Sequence, residues 1–226
     1  MTATMMTALL AAALGAAAGA ALPAAGERIA AYKCRRKGRV PEPAPRYTGA
    51  AARAVCLLCN GIGWGLCLYA GTWLPGVLAA AEWSIGILLI LLDLRLRILP
   101  NELLAALAAG GLALQLSLHG PAGLPGALFA MLAVGMGFLA LGNFMGLYKI
   151  GAGDVKLAAI MALALGFPQV FAGLMAMAAS MFVFCGIGLL TRRITLKSMV
   201  PFGPFLVPGL QIGMLLLLYF PNWPNL

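Results

Sequence analysis

The chain has 226 residues, 63% of them hydrophobic and only 9% charged, with a mean hydropathy of +0.99. A soluble domain carries about a quarter charged residues, so this chain cannot cover itself against water and the bilayer is its expected solvent. The net charge of +9 forms no stripe that would suit nucleic acid. Basic residues gather instead in short connections between apolar segments, as on the cytoplasmic side of a membrane, where they also suit anionic headgroups. The five cysteines, Cys34, Cys56, Cys59, Cys67 and Cys185, are odd in number and mostly in apolar surroundings, which argues for reduced thiols rather than a disulfide framework.

The first apolar segment, residues 5–25, is long enough to span about 30 Å of hydrocarbon as a helix. Arg28, Lys33, Arg35, Arg36, Lys37 and Arg39 follow it and no Lys or Arg precedes it, the reverse of a cleaved signal peptide. The helix is therefore expected to enter from outside and to leave a basic loop, residues 27–53, in the cytoplasm. Within that loop "RKGRVPEPAPRYTG" is polar and Pro-rich, and little regular structure is expected there. Further apolar segments follow at 54–72, 76–94, 102–119, 125–147, 155–167, 168–190 and 203–220, bounded by Pro and Gly. If all of them cross, Arg95, Arg97, Lys149, Lys156, Arg192, Arg193 and Lys197 share the side of the first basic loop. The opposite connections, "AGTWLPG", "LHGPAGLPG", "GFPQ" and "YFPNWPNL", hold no Lys or Arg. The fold class implied is all-α, a polytopic membrane helix bundle of about eight transmembrane helices.

Six acids are present: Glu27, Glu42, Glu82, Asp93, Glu102 and Asp154. Glu27 and Glu42 fall in the basic loop and read as solvated. Glu82 lies toward the outer end of its segment and reads as reaching the interface. Glu102 follows Pro100-Asn101 in a first helical turn, where negative charge suits the macrodipole. Asp93 closes the run "SIGILLILLD", and Asp154 opens the apolar run that starts in "GAGDVKLAAIM". Both belong to the same, cytoplasmic, end in this topology, although they lie 61 positions apart (154 − 93). One reading pairs Asp93 with Arg95 or Arg97, and Asp154 with Lys149 or Lys156, at helix ends. The other lets the two carboxylates face each other and share one proton. One then activates a water while the other polarises a peptide carbonyl. The glycines of "GAGD" would give the backbone room and conformations barred to other residues.

The pattern "LLDLRLRILPN", then "GAGDVKLAAIMALALG", then "PFGPFLVPG" resembles the prepilin peptidases, the type IV leader peptidases of the GxGD intramembrane aspartyl protease group. The resemblance covers about residues 80–220 and implies that Asp93 and Asp154 are the catalytic residues. It implies supporting roles for Gly151, Gly153 and Lys156 of GxGDxK, for Pro100 and Asn101 of Leu-Pro-Asn, and for Pro201 and Gly203 of the Pro-Phe-Gly-Pro that opens the last helix. It also implies a substrate: prepilin or pseudopilin precursors with a basic leader, cut at the cytoplasmic face of a bacterial inner membrane in type IV pilus assembly or protein secretion. On this basis the chain divides into an N-terminal region, residues 1–79, and a peptidase bundle, residues 80–226.

The N-terminal region departs from the family, many of whose members carry two CxxC pairs there and also N-methylate the new pilin terminus with S-adenosylmethionine. Only Cys56 and Cys59 have the CxxC spacing, inside an apolar segment. Cys34, Cys56, Cys59 and Cys67 would supply four zinc ligands only if the start of that helix unwound; the alternative is small buried hydrophobes. Proteolysis by paired aspartates requires no cofactor, and zinc and S-adenosylmethionine are set aside. His119, beside Gly-Pro, reads as a solvated loop histidine. Rival readings are a bifunctional peptidase–methyltransferase, a proton-coupled transporter using the acids as a relay, and a catalytically silent assembly factor.

Overall fold

The computed structural model describes residues 3–36, 38, 45–70, 72–145, 151–192 and 200–221, with Pro45, Arg46 and Met145 as backbone only. All the regular structure among them is helical: α1 (Ala3–Arg36), α2 (Pro45–Thr48), α3 (Ala50–Tyr69), α4 (Trp73–Leu96), α5 (Asn101–His119), α6 (Leu124–Met145), α7 (Ala152–Leu165), α8 (Val170–Leu190) and α9 (Gly203–Tyr219), with one 3₁₀ turn at Gly120–Gly123. Five stretches of described residues are long and apolar enough to cross a membrane, one of them, Asn101–Phe144, taking in both α5 and α6. The chain is an all-α polytopic membrane bundle. Its helices form two compact units, Met1–Leu99 and Pro100–Leu226.

In the first unit α1 and α3 run antiparallel at very close range. Every third or fourth residue of α1 is small and buried: Ala8, Ala11, Gly15, Gly19, then Gly26 and Ala30. A Cβ on Gly19 would lie 2.4 Å from the Cys56 carbonyl oxygen, and one on Gly15 2.5 Å from the Trp64 ring. Small residues at this spacing allow backbones to touch where lipid offers no hydrophobic drive between helices. The Ala-rich composition of the first segment thus has a packing cause. Polar glue completes the contact: buried Asn60 donates to the Gly15 carbonyl (2.8 Å) and accepts from Ser84 of α4 (2.9 Å), whose hydroxyl accepts from Trp64 (2.9 Å). Replacing Asn60 with alanine removes two of these bonds, so Asn60→Ala should lose about 1–2 kcal/mol, read as a lowered unfolding midpoint in detergent.

Helix α1 runs on to Arg36, well beyond the expected end at residue 25, because Glu27, Arg28, Lys33, Arg35 and Arg36 continue it as a polar helix. The basic loop is correspondingly narrower. Helix covers 27–36, 45–48 and 50–53 of it, while Lys37, Arg39 and Glu42 lie outside the described residues. The C-terminal ends of α1 and α4 come together: Gly26 sits against Leu88 and Leu91, and Glu27 pairs with Arg95.

In the second unit α7 is the central helix. It has 14 residues, so it is about 21 Å long, short of the 30 Å or so of a full crossing. The expectation that segment 155–167 spans the bilayer by itself is therefore corrected. Leu157, Ala158 and the whole run Met161–Leu165 are buried by α5, α6, α8 and α9, so protein rather than lipid surrounds it. Helix α5 runs parallel to α7: Asn101 meets Lys156 at one end, while Gly111 packs on Ala164 and Gln115 donates to the Ala164 carbonyl (2.9 Å) at the other. Helices α8 and α9 cross antiparallel. Gly173 meets Gly209, Phe184 meets Phe205 at 5.3 Å, and Gly213 lies over Leu165 near the end of α7. The N-termini of α5, α7 and α9 consequently share one end of this unit. Lys149, Arg193 and Lys197 lie outside the described residues.

Candidate active site

Asp93 occupies the last turn of α4 and is buried, 5% exposed. Its carbonyl accepts the N–H of Arg97 (2.9 Å), which ends the helix in the left-handed region with φ 51°. The chain then extends to Pro100, which caps α5; the N–H groups of Leu103 and Leu104 both point at the Pro100 carbonyl (3.1 Å each). Proline suits this place because it blocks helix in the preceding residue and starts α5 cleanly. Asn101 and Glu102 follow in the first turn, exposed.

Asp154 is the third residue of α7 and is half-buried. One carboxylate oxygen accepts the Gly151 N–H (3.2 Å), and the Asp154 N–H donates to the Gly151 carbonyl (2.9 Å), so the GAGD stretch is itself the helix cap. Gly151 has φ −70° and ψ 144°, a conformation open to any residue. The glycine there supplies room instead: a Cβ would lie 3.0 Å from the Asp154 carboxylate. Gly153 sits in the first turn beside it, half-buried.

Lys156 is exposed and its Nζ donates to Asn101 Oδ1 at 3.0 Å. Two of the supporting residues, from motifs 55 positions apart in the chain, therefore meet. Each half of this bond is exposed, so Lys156→Met and Asn101→Ala should each cost at most about 1 kcal/mol of stability. If the bond sets the site, each should lower turnover about tenfold and the double variant little further, as initial rates would show. Pro201 and Gly203 open α9, with Gly203 buried and the N–H groups of Phe205 and Leu206 directed to the Phe202 carbonyl (3.0 Å each). The positive macrodipole ends of α5, α7 and α9 thus share one end of the second unit, an environment suited to a carboxylate.

The other acids depart from their sequence reading. Glu27 is not a solvated loop residue: it belongs to α1 and forms an ion pair with Arg95, one of the two cations that one sequence reading offered to Asp93. Glu82 does not reach the interface. It is 1% exposed, on the same inward stripe of α4 as Gly86, Leu89 and Asp93, and its carboxyl oxygens have no hydrogen-bond partner among the described residues. His119 is the last residue of α5, half-buried, with Nδ1 3.2 Å from Gln115 Oε1. Sequence reading missed Asn60 and Gln115 as structural polar groups; the available signal was an amide inside an apolar segment.

The cysteines do not converge. Cys56, Cys59 and Cys67 lie in a continuous α3, and Cys34 in the last turns of α1. Cys56 and Cys67, eleven positions apart, are about 16 Å apart along the axis, too far for one zinc ion with ligand bonds of about 2.3 Å. Among the described residues no group of three or more His, Cys, Asp or Glu side chains is placed to hold a metal ion.

No curated protein and no solved structure matches the chain. A family model does match: residues 80–190 fit the type IV leader peptidase family. That span holds Asp93, Pro100, Asn101, Gly151, Gly153, Asp154 and Lys156 and stops short of Pro201 and Gly203. Over these residues the chain, a multi-pass membrane protein by its apolar helices, is similar to the type IV leader peptidases.

Proposed function

We propose that this peptidase is an aspartyl endopeptidase in which Asp93 and Asp154 act as a pair, removing the basic leader from type IV prepilin-like or pseudopilin precursors at the cytoplasmic face of a bacterial inner membrane. The observation that carries the reading is the Lys156–Asn101 hydrogen bond. It ties the residue two places after Asp154 to Asn101 of Leu-Pro-Asn, the residue eight places after Asp93 in the chain (101 − 93).

Helix ends assign the roles. Asp154 stands at the N-terminal, positive end of α7, and Asp93 at the C-terminal, negative end of α4. The single negative charge of the pair is better stabilised at Asp154. Asp154 is then the base that takes a proton from water, and Asp93 the acid that protonates the scissile carbonyl oxygen as the water oxygen attacks. Collapse of the tetrahedral intermediate breaks the C–N bond. The proton gained by Asp154 passes to the leaving nitrogen, and the hydroxyl proton returns to Asp93. No cofactor enters these steps.

The test is cleavage of a pilin-like precursor by the purified full chain in lipid nanodiscs, with the new N-terminus read by mass spectrometry. One cut at the junction of basic leader and apolar helix supports the reading. A folded protein inert toward several such precursors would move the weight to a silent assembly role.

A further inference from the structure

The outward face of α1 changes chemistry along its length. Opposite it, the inward face stays small and buried to the end, with Pro23, Gly26 and Ala30. The outward face begins apolar, with Leu10 63% and Leu14 64% exposed, and passes through exposed Ala17, Ala21 and Ala24. Beyond the apolar segment the same face carries Arg28, Tyr32, Arg35 and Arg36, all exposed, Tyr32 by 60%. Spacings of four, seven and eight residues from Arg28 put all four within about 100° of the helix circumference. The one acid of this extension, Glu27, lies off that face and pairs with Arg95 of α4.

The macrodipole accounts for part of the charge, since Arg35 and Arg36 stand in the last turn, where cations suit the negative end. Arg28 and Tyr32 stand about two turns and one turn earlier, beyond the reach of that effect. What all four share is the face that meets lipid lower down the same helix. With residue 25 at the edge of the hydrocarbon, Arg28 lies about 4.5 Å beyond it, Tyr32 about 10 Å and Arg36 about 16 Å. Arg28 and Tyr32 then fall in or at the rim of the headgroup layer, a level that suits a tyrosine ring. The last two arginines stand within about one Debye length of it, and their long stems can bend back toward it.

We infer that this face of α1 is a binding surface for acidic phospholipid headgroups, with Arg28, Arg35 and Arg36 taking the phosphates and Tyr32 seated at headgroup level. The guanidinium fork suits phosphate oxygens and keeps its charge at every relevant pH. Continuity with the apolar outward face of α1 makes lipid the occupant. The precursors proposed above carry a basic leader, of the same sign as this face, and do not fit it.

The test is native mass spectrometry of the full chain in non-ionic detergent micelles doped with equal amounts of phosphatidylglycerol and phosphatidylcholine. Wild type should retain phosphatidylglycerol over phosphatidylcholine by about tenfold at low salt, and the preference should shrink as salt rises. An arginine near an acidic surface contributes about fivefold to binding, so Arg28→Gln/Arg35→Gln/Arg36→Gln should lose about tenfold or more of the bound phosphatidylglycerol. The matching lysine triple keeps the charges without the fork and should stay within about threefold of wild type. Arg192→Gln, which removes an exposed cation at the end of α8, should change retention less than about twofold. All these side chains are exposed, and a thermal midpoint confirms that each variant is folded. Equal retention of the two lipids by wild type would overturn the inference. So would a folded glutamine triple that keeps its phosphatidylglycerol, or a loss matched by Arg192→Gln. Displacement of the lipid by inorganic phosphate at equal concentration would also overturn it, since the site would then be one for a free anion.

Discussion

Asp93→Asn and Asp154→Asn are each expected to abolish precursor cleavage, lowering kcat by about 10³-fold or more at unchanged folding. General acid–base catalysis by one positioned group is worth about 10²–10⁴-fold, and in a pair sharing one proton neither member substitutes for the other. Neither substitution should prevent folding. Asp154 accepts the Gly151 N–H at the start of α7, and an asparagine caps nearly as well as an aspartate, so Asp154→Asn should unfold within about 0.5 kcal/mol of wild type. Asp93 is buried in the last turn of α4, and asparagine keeps its size and shape, so Asp93→Asn should remain folded at the assay temperature. Both proteins would then be folded and inert, which separates a catalytic role from a structural one. Residual cleavage above about 1% of wild type in either variant would sink the paired mechanism.

Gly209→Val should be the most damaging single change outside the aspartates. A Cβ at Gly209 would stand 2.6 Å from the Gly173 carbonyl oxygen and 3.0 Å from Met177 Cβ. The first of these is backbone and cannot swing aside, so α8 and α9 must separate. Overpacking of this kind costs about 1–3 kcal/mol, and here the loss should reach or exceed the upper figure, because Gly213 and Gly173 also close on Leu165 of α7. The consequence reaches the site: α9 buries the side of α7, and Asp154 stands at the start of α7. Alanine at 209 should give a smaller loss of the same sign. Gly186 of α8 is the internal control. Nothing lies within 4 Å of a Cβ built there, so Gly186→Ala should be neutral or stabilising by up to about 1 kcal/mol through helix propensity. Thermal unfolding in one detergent, with activity read at a temperature where all variants are folded, orders the series.

Much of the architecture was legible because a bilayer leaves little choice. Backbone polar groups must be satisfied within a segment, so each apolar run had to be helical, and outside α1, which runs on to Arg36, Pro and Gly marked the ends within a few residues. Segment 203–220 became α9 (Gly203–Tyr219) and 102–119 became α5 (Asn101–His119). The candidate acids were legible for a related reason. A carboxylate at the edge of an apolar run is costly, which isolated Asp93 and Asp154 from the other acids, and the motifs around them named the family later matched over residues 80–190.

What the sequence determined by itself is therefore local: which segments are apolar, where those after the first begin and end to within a few residues, and which helix terminus carries each aspartate. Partner choice between helices belongs to tertiary structure. Hydropathy cannot tell that Arg95 meets Glu27, that Lys156 meets Asn101, or that Glu82 is buried, since each contact depends on which faces of separate helices are pressed together. The short α7 makes the same point. By composition it read as one more membrane crossing, whereas its 14 residues form the centre of a unit in which other helices replace lipid. Apolar protein and apolar lipid are nearly equivalent neighbours for a leucine, so composition does not distinguish them; the close approach of glycines on the surrounding helices does.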